Sequence, residues 1–245
     1  MQSLSLHILE ILLVVFIILG MHFYKKRVGI GTLYVFIGTI QFFQTLLVSN
    51  VYDNYLGDYR FSPGSTIFYT STLFAILLFF HTENLVKTKS LIYGILIANI
   101  SITFFSQFLL VQDHSIEQSS GLLLEEILSF ELTIFLIGTS LLYLEAMFIL
   151  LFYDFLNYKF KDKGTFLKIF TTMSLVCIFD SIAFYTFFYF THDNFKDLII
   201  GNIIGKQITV GLFSICLYFY LKFNKNIKPK RTPSDFKEIL KIFTF

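Results

Sequence analysis

Seven stretches of the chain, at about 5–24, 28–49, 63–81, 90–111, 130–153, 168–190 and 198–222, are each close to the roughly 20 apolar residues that a helix needs to cross a ~30 Å hydrocarbon core. A backbone in lipid must satisfy its own N–H and C=O groups, so runs of this length can only be helices. The rest of the chain agrees. With 55% hydrophobic residues, 33 Phe, 15% charged residues and a mean hydropathy of +0.70, there is too little polar surface to solvate a water-soluble domain of 245 residues. The expected fold class is all-α, a polytopic bundle of seven transmembrane helices. The first stretch has no basic leader and no small-residue cleavage site, and Lys25, Lys26 and Arg27 stop it, so it reads as a retained helix.

Loop charge orients such a bundle. Of the 19 Lys and Arg, all except Arg60, Lys196 and Lys206 fall in the first, third and fifth connections and in the tail. The opposite connections hold Asp53, Asp58, Asp113, Glu117, Glu125, Glu126, Glu131, Asp193 and Asp197. Positive loops stay inside, which predicts an N-out, C-in protein of the cytoplasmic (inner) membrane. The net charge of +2 then reflects contact with the inner leaflet of the lipid bilayer, and nucleic acid is not an expected partner. Residues 1–222 form the membrane domain and 223–245 a basic cytoplasmic tail.

Two segments read differently from the spans. In 112–131, Ser115 and Gln118 make a candidate capping box at an interfacial turn or at the start of the fifth helix. In the tail, Thr232, Pro233 and Asp235 start a short helix with Phe236, Ile239, Leu240 and Phe243 on one face. That face suits the inner leaflet, as an anchor, or a cytoplasmic protein partner.

Lys206 is the residue that needs an explanation. An ammonium in hydrocarbon costs at least about 2.5–3.5 kcal/mol. Counting 1.5 Å per residue from the helix ends puts Lys206 about 12 Å below the outer boundary, and Asp180 on the antiparallel sixth helix at about the same depth. Gln41 falls at about 10 Å, and Tyr69 and Thr72 at roughly 9–14 Å. Asn202, Lys206 and Thr209 lie on one helical face, as do Ser174, Cys177 and Ser181, and as do Asn99, Thr103, Ser106 and Gln107. The expected substrate-binding set is therefore Asp180, Lys206, Gln41, Tyr69, Thr72, Gln107 and Asn202. Gly201 and Gly205 form a G-x-x-x-G that lets another helix approach beside Lys206. Glu145, about 21 Å below the outer surface, lies under this layer and is either a proton or cation site or a group reaching the inner water boundary. Glu10 and His22 read as interfacial.

Catalytic and metal chemistry lack their signatures. There is no G-x-S-x-G, phosphate loop or metal-ligand spacing, and Cys177 and Cys216 sit inside helices with no partner spacing. No enzyme, metal or cofactor is expected. A retinal-type Schiff base on Lys206 would want Trp and a counterion set on the third helix, and the chain has no Trp.

"SLVCIFDSIAF", with Asp180 and Ser181, and "IIGNIIGKQITVGLFSICLYFYL", with Lys206, resemble the last two helices of the VUT family of queuosine-precursor transporters. "PGSTIFYTSTLFAILLFF" (63–80) is similar to that family's third-helix segment, and the likeness covers residues 60–222. The resemblance implies a carrier that takes up a small polar heterocycle such as a deazapurine. "SPGST" and the tail "SDFKEILKIFTF" also look similar to membrane input modules of bacterial signalling proteins, which implies a ligand sensor acting through its tail.

Overall fold

The computed structural model describes residues 2–56, 59–111, 132–160, 164–189, 195–224 and 236–243. Among them run α1 (Gln2–Phe23), α2 (Lys25–Val28), α3 (Gly31–Asn50), β1 (Asp53–Leu56), β2 (Tyr59–Phe61), a π-helical turn (Gly64–Tyr69) continuing into α4 (Thr70–Thr82), α5 (Leu85–Val111), α6 (Leu132–Lys159), α7 (Thr165–Tyr189), α8 (Phe195–Phe223) and α9 (Phe236–Leu240). Seven helices, α1, α3, α4 with its π turn, α5, α6, α7 and α8, are long and apolar enough to cross a membrane. The candidate capping box at Ser115 and Gln118 lies outside the described residues, as do Thr232, Pro233 and Asp235.

The π turn and α4 form the centre of the bundle. Their span is 83% buried, against 50% or less for each of the other six. The sequence explains the difference: every side chain from Leu73 to Phe80 is buried, so this helix has no face left for lipid. The outer helices keep one. Leu6, Leu9, Leu13 and Phe16 make an exposed stripe along α1, and Phe104, Phe105 and Phe108 do so on α5, as expected where the solvent is hydrocarbon.

β1 and β2 pair antiparallel, Asp53 opposite Phe61 and Asn54 opposite Arg60. The sequence reading assigned no strand here, because four residues against three carry no periodic signal. The hairpin nevertheless matters. β2 packs on α8, and the glycines of α8 face it: a Cβ at Gly205 would sit 2.6 Å from Phe61 Cδ1 and from Thr66 Cγ2, and one at Gly201 would overlap the Arg60 carbonyl. The G-x-x-x-G therefore admits a strand and the start of the π turn, where the sequence suggested another helix. The turn itself is fixed at Ser62, whose carbonyl accepts from Ser65 N (3.1 Å), Thr66 N (2.9 Å) and Thr66 Oγ1 (2.8 Å).

The tail helix also departs from expectation. Ile239 and Ile242 are 0% and 2% exposed, α9 packs on α6, and the Tyr143 hydroxyl donates to the Phe243 carbonyl at 2.9 Å with the two rings edge to face. Ile239 and Phe243 of the expected apolar face, with Ile242, meet protein. An amphipathic pattern fixes which face is apolar, but lipid and a helix groove satisfy it equally.

At the end of the bundle where α1 and α4 finish, Glu83 is 2% exposed and accepts from the Lys25 ammonium and from Lys87 at 2.7 Å. His22, expected at the interface, is fully buried in this cluster: Nε2 accepts from Lys25 at 3.0 Å and Nδ1 lies 2.7 Å from the Tyr220 hydroxyl. Burial alone would push the Glu83 carboxyl up. The hydrogen bonds and charges of Lys25 and Lys87 outweigh it and hold the group at about 2, against an ordinary 4.5. A carboxyl held low stabilises the fold above its ordinary value, and that contribution is lost as pH falls through 4.5 toward 2. The cluster is therefore expected to contribute on the order of 2 kcal/mol at neutral pH, after discounting for the exposure of Lys87. Thermal unfolding in detergent should show Glu83→Gln below wild type at neutral pH, with the gap closing as both are acidified. A gap independent of pH would contradict the assignment.

Candidate ligand site around Asp180 and Lys206

α7 and α8 pack along most of their length and bring Asp180 and Lys206 face to face. The Lys206 ammonium donates to Asp180 Oδ2, and the two residues are 2% and 5% exposed. Tyr69, the last residue of the π turn, lies against the pair with its ring centroid 4.9 Å from Lys206 Nζ. A ring face under an ammonium offsets part of its desolvation. The Tyr69 hydroxyl then donates to Glu145 Oε2 on α6. Glu145 is 0% exposed and within electrostatic reach of both Asp180 and Lys206. Depth counting put it below the layer, yet the length of a tyrosine side chain spans the offset and draws it into the same cluster.

Asn202, one turn above Lys206, locks the neighbouring helices. Its Oδ1 accepts from Ser181 at 2.8 Å, and its amide nitrogen donates to Ser65 Oγ at 2.6 Å and to Tyr185 Oη at 3.3 Å. These bonds join α7, α8 and the π turn at the point where the turn widens, a geometry that recurs at functional sites.

Above the pair opens a cleft with a cavity volume of about 100 Å³. Asp180, Lys206, Tyr69 and Asn202 line it, as the sequence suggested. Gln41 and Thr72 do not. They hydrogen-bond each other at 2.6 Å, both fully buried, and so tie α3 to α4 behind the cleft. Gln107 is half-buried on α5 and is also absent from the described lining. In their place stand Gln44 and Asn99, with Phe135, Leu142, Phe184 and Tyr185 as apolar and aromatic wall. Gln44 Oε1 and Asn99 Oδ1 are buried there without a hydrogen-bond partner among the described residues. Asn99 was on the polar stripe of its helix. Gln44 is one turn from Gln41, and that spacing was the available signal for it. No cluster of three or more His, Cys, Asp or Glu with metal-site geometry occurs among the described residues.

Comparison with known families decides the membership. The family described as vitamin uptake-like sensor matches residues 15–221, from the middle of α1 to the end of α8. The chain belongs to the vitamin uptake-like sensor family. The vitamin uptake-like sensor match takes in α3 and part of α1 and includes every residue of the cleft; it does not itself establish the resemblance to the VUT family read over 60–222. α9 lies beyond it. No curated protein and no solved structure matches the chain.

Proposed function

We propose that this multi-pass membrane protein is a non-catalytic receptor for a small, polar, vitamin-like heterocycle, bound in the cleft above Asp180 and Lys206 and read out through the tail helix. The observation that carries the reading is the coincidence, in one cleft, of a buried ion pair with two acceptors, Gln44 Oε1 and Asn99 Oδ1, that have no partner among the described residues. Buried acceptors left without donors cost about 1–3 kcal/mol each, which a ligand rich in N–H groups would recover. Asp180 accepts a ring N–H, Lys206 balances its charge or contacts a carbonyl, and the aromatic wall covers the ring faces. Deazapurines of the queuosine-precursor type, which the VUT resemblance implies, are the first compounds to test. Readout through the tail is supported by the seating of α9 on α6, the helix that also carries Glu145. With the N-out, C-in orientation expected from loop charge, that tail would meet cytoplasmic partners.

The second reading is a carrier for the same class of solute. The Lys25, Glu83 and Lys87 cluster favours it, because it closes the end of the bundle opposite the cleft as a gate would. Uptake of labelled deazapurines and vitamin-type heterocycles into cells, with the full chain and with 236–243 deleted, separates the two. The receptor reading expects ligand binding without accumulation in either protein, and loss of any downstream response on deletion. Accumulation that survives deletion establishes the carrier. Loss of ligand binding itself on deletion would contradict both, since α9 lines no part of the cleft.

A further inference from the structure

The buried cluster beneath the cleft carries more acid than base. On α6, Glu145 is fully enclosed, and each neighbouring element presents an identifiable group. The π turn presents the Tyr69 hydroxyl, α7 presents Asp180 and Cys177, and α8 reaches in with Lys206. α5 meets α6 two residues away, where Tyr93 lies beside Tyr143, and α9 contacts that same Tyr143. Among the described residues, one ammonium thus faces two carboxyl groups. An uncompensated charge in a buried, low-dielectric cluster costs several kcal/mol, whereas one ammonium, one carboxylate and one carboxylic acid sum to zero. Asp180 is the carboxylate of that set, because it takes the Lys206 ammonium directly. Glu145 receives no ammonium. Its Oε2 takes the Tyr69 hydroxyl, its Oε1 takes no donor among the described residues, and its carboxyl lies against that of Asp180.

We infer that Glu145 is a proton-binding site: the cluster stays neutral by holding one exchangeable proton there, and the number of acid protons falls by one for each positive charge the cluster holds. The proton follows from the cluster itself. Its use rests on the ligand reading above: a ligand arriving with a positive charge releases this proton into solution, and a neutral ligand leaves it in place, so the site weighs ligand charge against pH.

Infrared spectroscopy of the purified full chain in detergent tests the inference without any ligand. The C=O stretch of a carboxylic acid is separate from that of a carboxylate and moves to lower frequency in D2O. At neutral pH the wild type is expected to show one such group from the cluster, Glu145→Gln none, and Lys206→Met two, since Asp180 must then take a proton as well. Tyr69→Phe keeps the group and shifts its band, because the hydroxyl bond to Glu145 is gone. A band unchanged by Glu145→Gln, or no increase in Lys206→Met, overturns the proposal. Should Glu145→Gln fail to fold, Tyr69→Phe still decides: an unshifted band places the acid elsewhere. Failure here leaves the ligand reading of the cleft standing, and a failure to find any ligand leaves this result standing.

Discussion

Lys206→Met abolishes ligand binding and lowers stability by at most about 3–5 kcal/mol, the usual result of removing one partner of a buried ion pair. The lower part of that range is expected, because Asp180 can escape its uncompensated charge by binding a proton. Binding does not recover with it, since a protonated Asp180 no longer accepts two donors. The partner experiment is Asp180→Leu with Lys206→Met. Removing both charges returns stability to the wild-type level or up to about 1–4 kcal/mol above it, yet the cleft then lacks both its acceptor and its counter-charge. A pair kept for architecture alone would behave otherwise, with binding and stability recovering together.

The second large effect belongs to two glycines far apart in sequence. A Cβ at Gly64 would lie 2.5 Å from Val48 N, 2.8 Å from the Gln44 carbonyl and 2.9 Å from Leu47 C, all backbone atoms of α3. One at Gly201 would overlap the Arg60 carbonyl and come within 3.1 Å of Arg60 N. Backbone cannot rotate out of the way as a side-chain tip can. Gly64→Ala and Gly201→Ala are each expected to cost about 1–3 kcal/mol or more, by pushing the π turn off α3 or the hairpin off α8. Gly64→Ala should also weaken ligand binding, because it moves Ser65 and Tyr69 away from Gln44 across the cleft. Gly94→Ala on α5 is the control. Nothing lies within 4 Å of its added Cβ, and it should be neutral or stabilising by up to about 1 kcal/mol. Equal midpoints for Gly64→Ala and Gly94→Ala in detergent would show that the close approach is not as drawn.

Hydropathy was enough to read the seven spans, because in lipid the backbone has only one way to satisfy itself. The central place of α4 was implicit in its unbroken apolar run from Leu73 to Phe80, which leaves nowhere for a polar or lipid-facing stripe. Depth counting brought Asp180 and Lys206 level because α7 and α8 are adjacent, antiparallel and packed on each other, so the same tilt moves both residues alike. Gln41 and Thr72 were level too, but depth does not give azimuth. Rotation about α3 turns Gln41 onto α4 and Gln44 onto the cleft. Glu145, counted below the layer, still joins the cluster because a count along the axis ignores side-chain reach. The hairpin and the docking of α9 were out of range for the opposite reason: each is a tertiary choice among partners that the local pattern permits equally.

The account's central claim is that Asp180 and Lys206 face each other across a cleft that a solute completes. Its most direct test is thermal unfolding in detergent of the wild type and of Asp180→Leu with Lys206→Met, each with and without deazapurines and other vitamin-type nitrogen heterocycles. A ligand at a hundred times its Kd stabilises the protein it binds by about 2.7 kcal/mol. The account predicts a compound that raises the wild-type midpoint and leaves that of the double variant unmoved, with the double variant at least as stable when no compound is added. The same compound raising both midpoints equally would contradict it.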